Sequence, residues 1–130
     1  MENIYAQINA LKGKIKKPYY PFIEVDEGWF QIVLDCHKEL EAIDPEYAPL
    51  QIKEKFGELR YYYEPSNQLL RESMDAVIRK YEQISRQTCE VTGKPGVLMK
   101  SIGGWYKTLN EDFAATHMSY GKYTAVEQSN

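Results

Sequence analysis

Leu50-Gln51-Ile52-Lys53-Glu54-Lys55-Phe56-Gly57-Glu58-Leu59-Arg60-Tyr61-Tyr62-Tyr63 alternates apolar and polar residues on either side of a Phe-Gly pair. A period of two marks strands with one buried face, and Phe56-Gly57 supplies a turn or bulge between them. Leu50 and Ile52 are expected on one face, with Gln51 and Lys53 on the other. On the returning strand Leu59, Tyr61 and Tyr63 share a face, and Arg60 and Tyr62 take the opposite one. Residues 49–63 therefore read as an antiparallel hairpin.

Helical periodicity surrounds it. Ile4, Ile8, Leu11 and Ile15 predict a first helix over residues 2–17, ended by Pro18 and followed by an apolar connection to Val25. Asp26 reads as the cap of a second helix reaching Ile43, with Trp29, Val33, Cys36, Leu40 and Ile43 on one stripe. Cys36 on that stripe reads as a small buried hydrophobe. Pro65-Ser66 opens a third, longest helix to Thr88. Its core stripe is expected at Leu70, Met74, Val77, Tyr81, Ile84 and Thr88, widened by Leu69 and Ile78. The class is α+β: about three main helices on a small antiparallel hairpin sheet.

The C-terminal part is spaced like a small metal module. Turn signals at Gly93-Lys94-Pro95-Gly96 and Gly103-Gly104 separate short strands near Val97–Lys100 and Trp105–Leu109, and Asn110 caps a short helix to Met118. Cysteine at 92 and 110, and cysteine or histidine at 113, would complete with Cys89 a C-x2-C-x17-C-x2-C/H set. Thr92, Asn110 and Phe113 stand there instead. A tetrahedral zinc site needs four N or S ligands, so residues 89–115 are expected as a metal-free, degenerate zinc-ribbon-like module in which Phe113 packs where metal would sit. No metal and no cofactor are expected.

Gly28-Trp29, the run Gln51–Tyr61, Thr88-Cys89-Glu90, Gly93-Lys94-Pro95-Gly96 and Gly103-Gly104-Trp105-Tyr106-Lys107-Thr108-Leu109 together resemble a family of small proteins common in bacteriophage and prophage genomes. The likeness spans roughly residues 28–115, and the hairpin string is its most specific part. It implies a phage-encoded protein acting inside a bacterial host and brings no enzymatic activity with it. The chain departs from the family pattern at Thr92, Asn110 and Phe113.

A chain of 130 residues with 43% hydrophobic and 27% charged residues suits one soluble domain, expected over residues 1–118 with a loose tail at 119–130. A net charge of −3 speaks against unaided duplex-DNA binding. Two cysteines in different segments predict no disulfide framework and a reducing cytoplasm. No apolar run is long enough to cross a membrane. Eleven tyrosines against four phenylalanines make the chain aromatic-rich, and most are expected at half-buried positions with hydroxyls in water.

No phosphate loop, dinucleotide fingerprint or H-E-x-x-H helix is present. His37 and His117 have no evident nucleophile or acid beside them, so no catalytic residues are assigned. The candidate binding surface joins the two hairpins, where Lys53, Lys55, Arg60 and Lys107 interleave with Tyr62, Trp105 and Tyr106. The leading expectation is a non-catalytic protein that engages a host protein, such as a defence component like a CRISPR effector, through aromatic anchors. Two alternatives stay open: a nucleotide-binding or nucleotide-sequestering protein using Lys53, Arg60 and Lys107, and a single-stranded nucleic-acid binder.

Overall fold

A capping residue opens the first helix. Asn3 Oδ1 accepts the Ala6 N–H at 2.8 Å, satisfying one of the free donors of a helix start. The structure, a computed structural model that describes residues 3–127, places helix α1 at Ile4–Lys12, shorter than expected. Gly13 ends it, and the Lys16 N–H binds the Pro49 carbonyl at 2.9 Å. A tertiary backbone bond thus takes over from the helical ladder, while Ile15 reaches the core from the turn. Residues 1, 2 and 128–130, into which the expected first helix and tail extend, lie outside the described residues.

Strand β1 (Ile23–Glu24) and a 3-10 turn over Glu27–Trp29 lead into helix α2 (Phe30–Ile43). Trp29, Val33, Cys36 and Leu40 are fully buried along one stripe, as the spacing requires. Burial pushes the Cys36 thiol pKa well up, consistent with an inert packing role. Asp26 precedes the turn but makes no side-chain cap bond; its carboxylate is engaged elsewhere, as described below.

Strands β2 (Ala48–Lys55) and β3 (Glu58–Glu64) form the expected hairpin, with Ile52 opposite Tyr61 and Lys53 opposite Arg60. Leu59, Tyr61 and Tyr63 point inward, and Tyr62 points out. The register shifts between Pro49 and Gln51. That irregularity puts Pro49 and Ile52 inside and leaves Leu50 half-buried, a correction to strict alternation. Strand β1 adds parallel to β2, giving the order β1-β2-β3.

The inward tyrosines do not send their hydroxyls to water. Tyr47 and Tyr61 bond each other at 2.7 Å, and Tyr47 also bonds His37 Nδ1 at 2.6 Å. Tyr63 donates to Asp75 at 2.6 Å, and Tyr81 donates to Glu39. A buried hydroxyl without a partner costs about 1–3 kcal/mol, and each of these four tyrosines has a hydrogen-bond partner.

Asp44 closes α2 and is itself buried. Its carboxylate accepts the Ser66 N–H at 2.8 Å and the Ser66 hydroxyl at 2.7 Å. That clamp holds the expected start of the third helix as a loop, so α3 runs only over Arg71–Ser85 after a 3-10 turn at Gln68–Leu70. Its buried face is Met74, Ile78 and Ser85, whereas Leu69 and Ile84 are 88% and 39% exposed. The reason is polar. Helix α3 lies along the outer edge of β3, whose Leu59 N–H donates to Ser85 Oγ at 3.0 Å. Satisfying that edge turns Ser85 inward and Ile84 outward.

After α3, strand β4 (Val97–Ser101), strand β5 (Tyr106–Leu109), helix α4 (Glu111–Thr116) and strand β6 (Tyr123–Ala125) complete the chain, with a second sheet ordered β5-β4-β6. Part of the expected loose tail is therefore ordered: Tyr123–Ala125 pairs with β4 and covers its otherwise free edge. Cys89, Met99, Leu109 and Ala114 form a small apolar cluster apart from the main core. The architecture is α+β, and no helix of the described residues is long and apolar enough to cross a membrane.

Candidate functional site

Turn chemistry builds one half of the site. Phe56 and Gly57 join β2 to β3 with φ of 55° and 80°, the left-handed pair that two-residue hairpins use and that Asn-Gly normally fills. Glycine is favoured at position 57 by its left-handed φ, and a Cβ there would also push on the tip of Leu98, 2.5 Å from Cδ1. Glu54 fixes the turn by accepting the Gly57 N–H at 2.7 Å. Phe56 is different. A bulky side chain at positive φ is a true outlier, and this one is 64% exposed.

The β4–β5 turn builds the other half. Ser101 Oγ accepts the Trp105 N–H at 3.1 Å, and Gly104, at φ 88°, donates its N–H to Ser101 O at 3.0 Å. The Trp105 indole lies beside Gly103, where an added Cβ would be 3.6 Å from the ring. Ile102 and Trp105 project 86% and 75% exposed.

The two turns are locked together. Thr108 donates its hydroxyl to Gly57 O at 2.6 Å, and Phe56 meets Tyr106 edge-on with ring centroids 6.3 Å apart. Between them opens a cleft of about 420 Å³ lined by Glu54, Lys55, Phe56, Gly103, Trp105 and Tyr106, within the size range of ligand sites. Nothing in the fold requires Phe56 to be aromatic. Phe56→Asn is expected to leave stability within about 1 kcal/mol of wild type, because relief of the left-handed penalty offsets the lost edge contact. Urea denaturation checks this; a loss above about 2 kcal/mol would make Phe56 a packing residue instead.

Of the sequence-predicted residues, Lys55, Trp105 and Tyr106 meet in the cleft. Lys53, Arg60 and Tyr62 do not line it. Lys53 and Arg60 stand opposite each other in the first sheet, and Arg60 lies 3.8 Å from Glu58. Lys107 is separated from Tyr106 by strand alternation and turns the other way. It binds Glu90 at 2.9 Å and Asp26 at 2.8 Å. Burial alone would lower its pKa, but the two carboxylates outweigh that and hold it above the ordinary lysine value. Burial raises the Glu90 pKa despite bonds from the Asp26 N–H and Lys107. This partly buried ion cluster fastens the C-terminal module to the entrance of α2, so Lys107 is a structural cation. Sequence reasoning missed Phe56, which lines the cleft. The available signal was a phenylalanine where a turn prefers asparagine.

Positions 89, 92, 110 and 113 do not make a metal site. Cys89 Sγ accepts the Thr92 N–H at 3.4 Å. Burial pushes the Cys89 pKa up, but the Thr92 hydroxyl and the N–H groups of Asn110, Thr92 and Val91 bring it below the usual thiol value. Asn110 is occupied as a cap, accepting the Phe113 N–H at 3.0 Å and donating to Pro95 O at 2.9 Å. Phe113 packs against the small apolar cluster and stacks on His117, with centroids 4.9 Å apart. Among the described residues no group of three or more His, Cys, Asp or Glu is placed to hold a metal.

The cleft presents exposed aromatic surface, and its one carboxylate, on Glu54, accepts a backbone N–H. That arrangement suits binding. Comparison with protein-family models, with curated proteins and with solved structures returned no match to the chain.

Proposed function

We propose that the protein is a non-catalytic binding protein that engages a partner protein through its paired hairpin tips. The observation that carries this reading is the grouping of exposed Phe56 and Trp105 around one cleft, with exposed Ile102 on the same β4–β5 turn, on turns braced by the Thr108–Gly57 bond. Large apolar side chains held out on a rigid frame gain nothing for the monomer, whereas tryptophan and other aromatics in pockets dominate protein interfaces. The resemblance to phage-borne proteins suggests a bacterial host protein, with a defence component as the proposed class of target.

The nucleotide alternative needs Lys53, Arg60 and Lys107 to converge. Lys107 is engaged by Glu90 and Asp26, and Lys53 and Arg60 lie off the cleft, so the geometry favours protein over nucleotide. Capture of a host protein from bacterial extract, followed by titration of the purified pair, tests the choice. Trp105→Ala is expected to weaken the complex by about 2 kcal/mol, roughly thirtyfold in Kd, with Tyr62→Ala within about threefold of wild type. Equal affinity for wild type and Trp105→Ala would remove the cleft from the interface. Calorimetric binding of a nucleotide, abolished by Arg60→Ala, would replace this reading with the alternative.

A further inference from the structure

Four cations sit over aromatic rings among the described residues, and two of them differ from the others. Arg71 over Tyr63 also bonds Gln68, and Lys80 over Tyr81 also pairs with Glu39. Lys55 lies 5.6 Å from the Phe56 ring centroid and Lys100 lies 5.4 Å from that of Tyr106. Neither ammonium has a carboxylate partner among the described residues. Both flank the hairpin cleft from opposite hairpins: Lys55 lines it directly, and Lys100 stands across the sheet pair from Tyr106. The cleft's own carboxylate, Glu54, is engaged by the Gly57 N–H. The carboxylate nearest in register to Lys55, on Glu58, is taken by Arg86 at 2.9 Å.

Resting on the protein-binding reading above, we infer that the cleft recognises an acidic peptide segment, in which an apolar side chain enters between Phe56 and Trp105 while flanking carboxylates meet Lys55 and Lys100. The charge balance selects this occupant. At the cleft two ammoniums without a carboxylate partner among the described residues stand against the one carboxylate of Glu54, a local excess of positive charge, and each lies over a ring face that restricts its motion. A carboxylate arriving there gains a charge-assisted bond with little reorganisation. Nucleic acid fits less well. It would use stacking faces in series and a continuous basic track, whereas here Phe56 and Tyr106 meet edge-on, and Lys55 and Lys100 are two separate cations rather than a track.

Selection of a random displayed-peptide library on the immobilised wild-type protein tests the inference, with every enriched peptide retested on Trp105→Ala and on the double variant Lys55→Gln/Lys100→Gln. Neither lysine is placed in the fold's ion pairs, so the double variant is expected to keep wild-type stability. The expected result is a set of peptides that require Trp105, carry Asp or Glu next to an apolar residue, and bind the double variant about tenfold more weakly at low salt. Trp105-dependent peptides without acidic enrichment, or bound equally by the double variant, would overturn the acidic specificity and leave the protein-binding reading standing. Absence of any Trp105-dependent peptide would overturn both. Oligothymidylate binding that is stronger than that of every selected peptide and lost in the double variant would assign the cations to nucleic acid instead.

Discussion

Gly28→Ala is expected to destabilise the fold by at least about 3 kcal/mol, a shift in Tm on the order of 10 °C for a domain of this size. A Cβ at position 28 would lie 2.4 Å from the carbonyl oxygens of both Cys89 and Glu90. These are backbone atoms, so no side chain can swing away. Both also belong to the segment that bonds back to this region, through the Trp29 indole N–H to Thr88 O at 2.8 Å and the Asp26 N–H to Glu90 at 2.9 Å. Separating the two segments by an ångström would weaken both bonds at once. Gly13→Ala is the control. Position 13 has helical φ and a Cβ there would stand 3.4 Å from its nearest neighbour, so stability should be unchanged or slightly raised. Denaturant titration of both variants decides; a Gly28→Ala protein within 1 kcal/mol of wild type would contradict this close approach.

Lys107→Met is expected to cost about 3 kcal/mol at neutral pH. It would leave Glu90, 2% exposed, charged without a cation, and breaking a buried pair on one side typically costs 3–5 kcal/mol. The lower end applies because Asp26, the second partner, is half exposed and regains water. The effect has a defined pH dependence. Burial already raises the Glu90 pKa, and loss of Lys107 raises it further, so the folded variant holds a proton more tightly than the unfolded chain. Stability then falls as pH rises from about 4 through the raised folded value, and recovers on acidification. The gap between variant and wild type should therefore narrow between pH 7 and pH 5. Adding Glu90→Gln removes the unpaired charge while keeping an acceptor for the Asp26 N–H. The double variant should regain at least half of the loss. A gap that is constant with pH, or no recovery in the double variant, would show that Lys107 acts by packing alone.

How legible the fold was depended on how local each signal is. The stripe from Trp29 to Leu40 and the alternation from Leu59 to Tyr63 survived intact, because both follow from the repeat of one element and need no knowledge of its neighbours. Asn110 was readable as a cap for the same reason. The third helix was not. Its apolar pattern pointed Ile84 inward, but the free Leu59 N–H of a strand some 26 positions away claimed Ser85 instead. The tail was misread because three residues with no hydrophobic run found a pre-existing edge on β4.

The candidate site was half legible. Lys55, Trp105 and Tyr106 were named from aromatic and basic interleaving, and they line one cleft. Lys107 was grouped with them on sequence adjacency, although alternation along β5 sends it to the opposite face, where Glu90 and Asp26 wait. Phe56 was read only as part of a turn, yet it forms a wall of the cleft.

The sequence by itself determined the α+β class and the approximate places of the helices and hairpins, since period, capping and residue chemistry are short-range properties. Tertiary structure alone decided that two hairpin turns abut, that Lys107 is a structural cation while Lys55 and Lys100 have no carboxylate partner among the described residues, and that Phe56 and Trp105 line one cleft. Those outcomes depend on which distant group satisfies a buried charge or an unpaired backbone donor, and no window of neighbouring residues carries that partner.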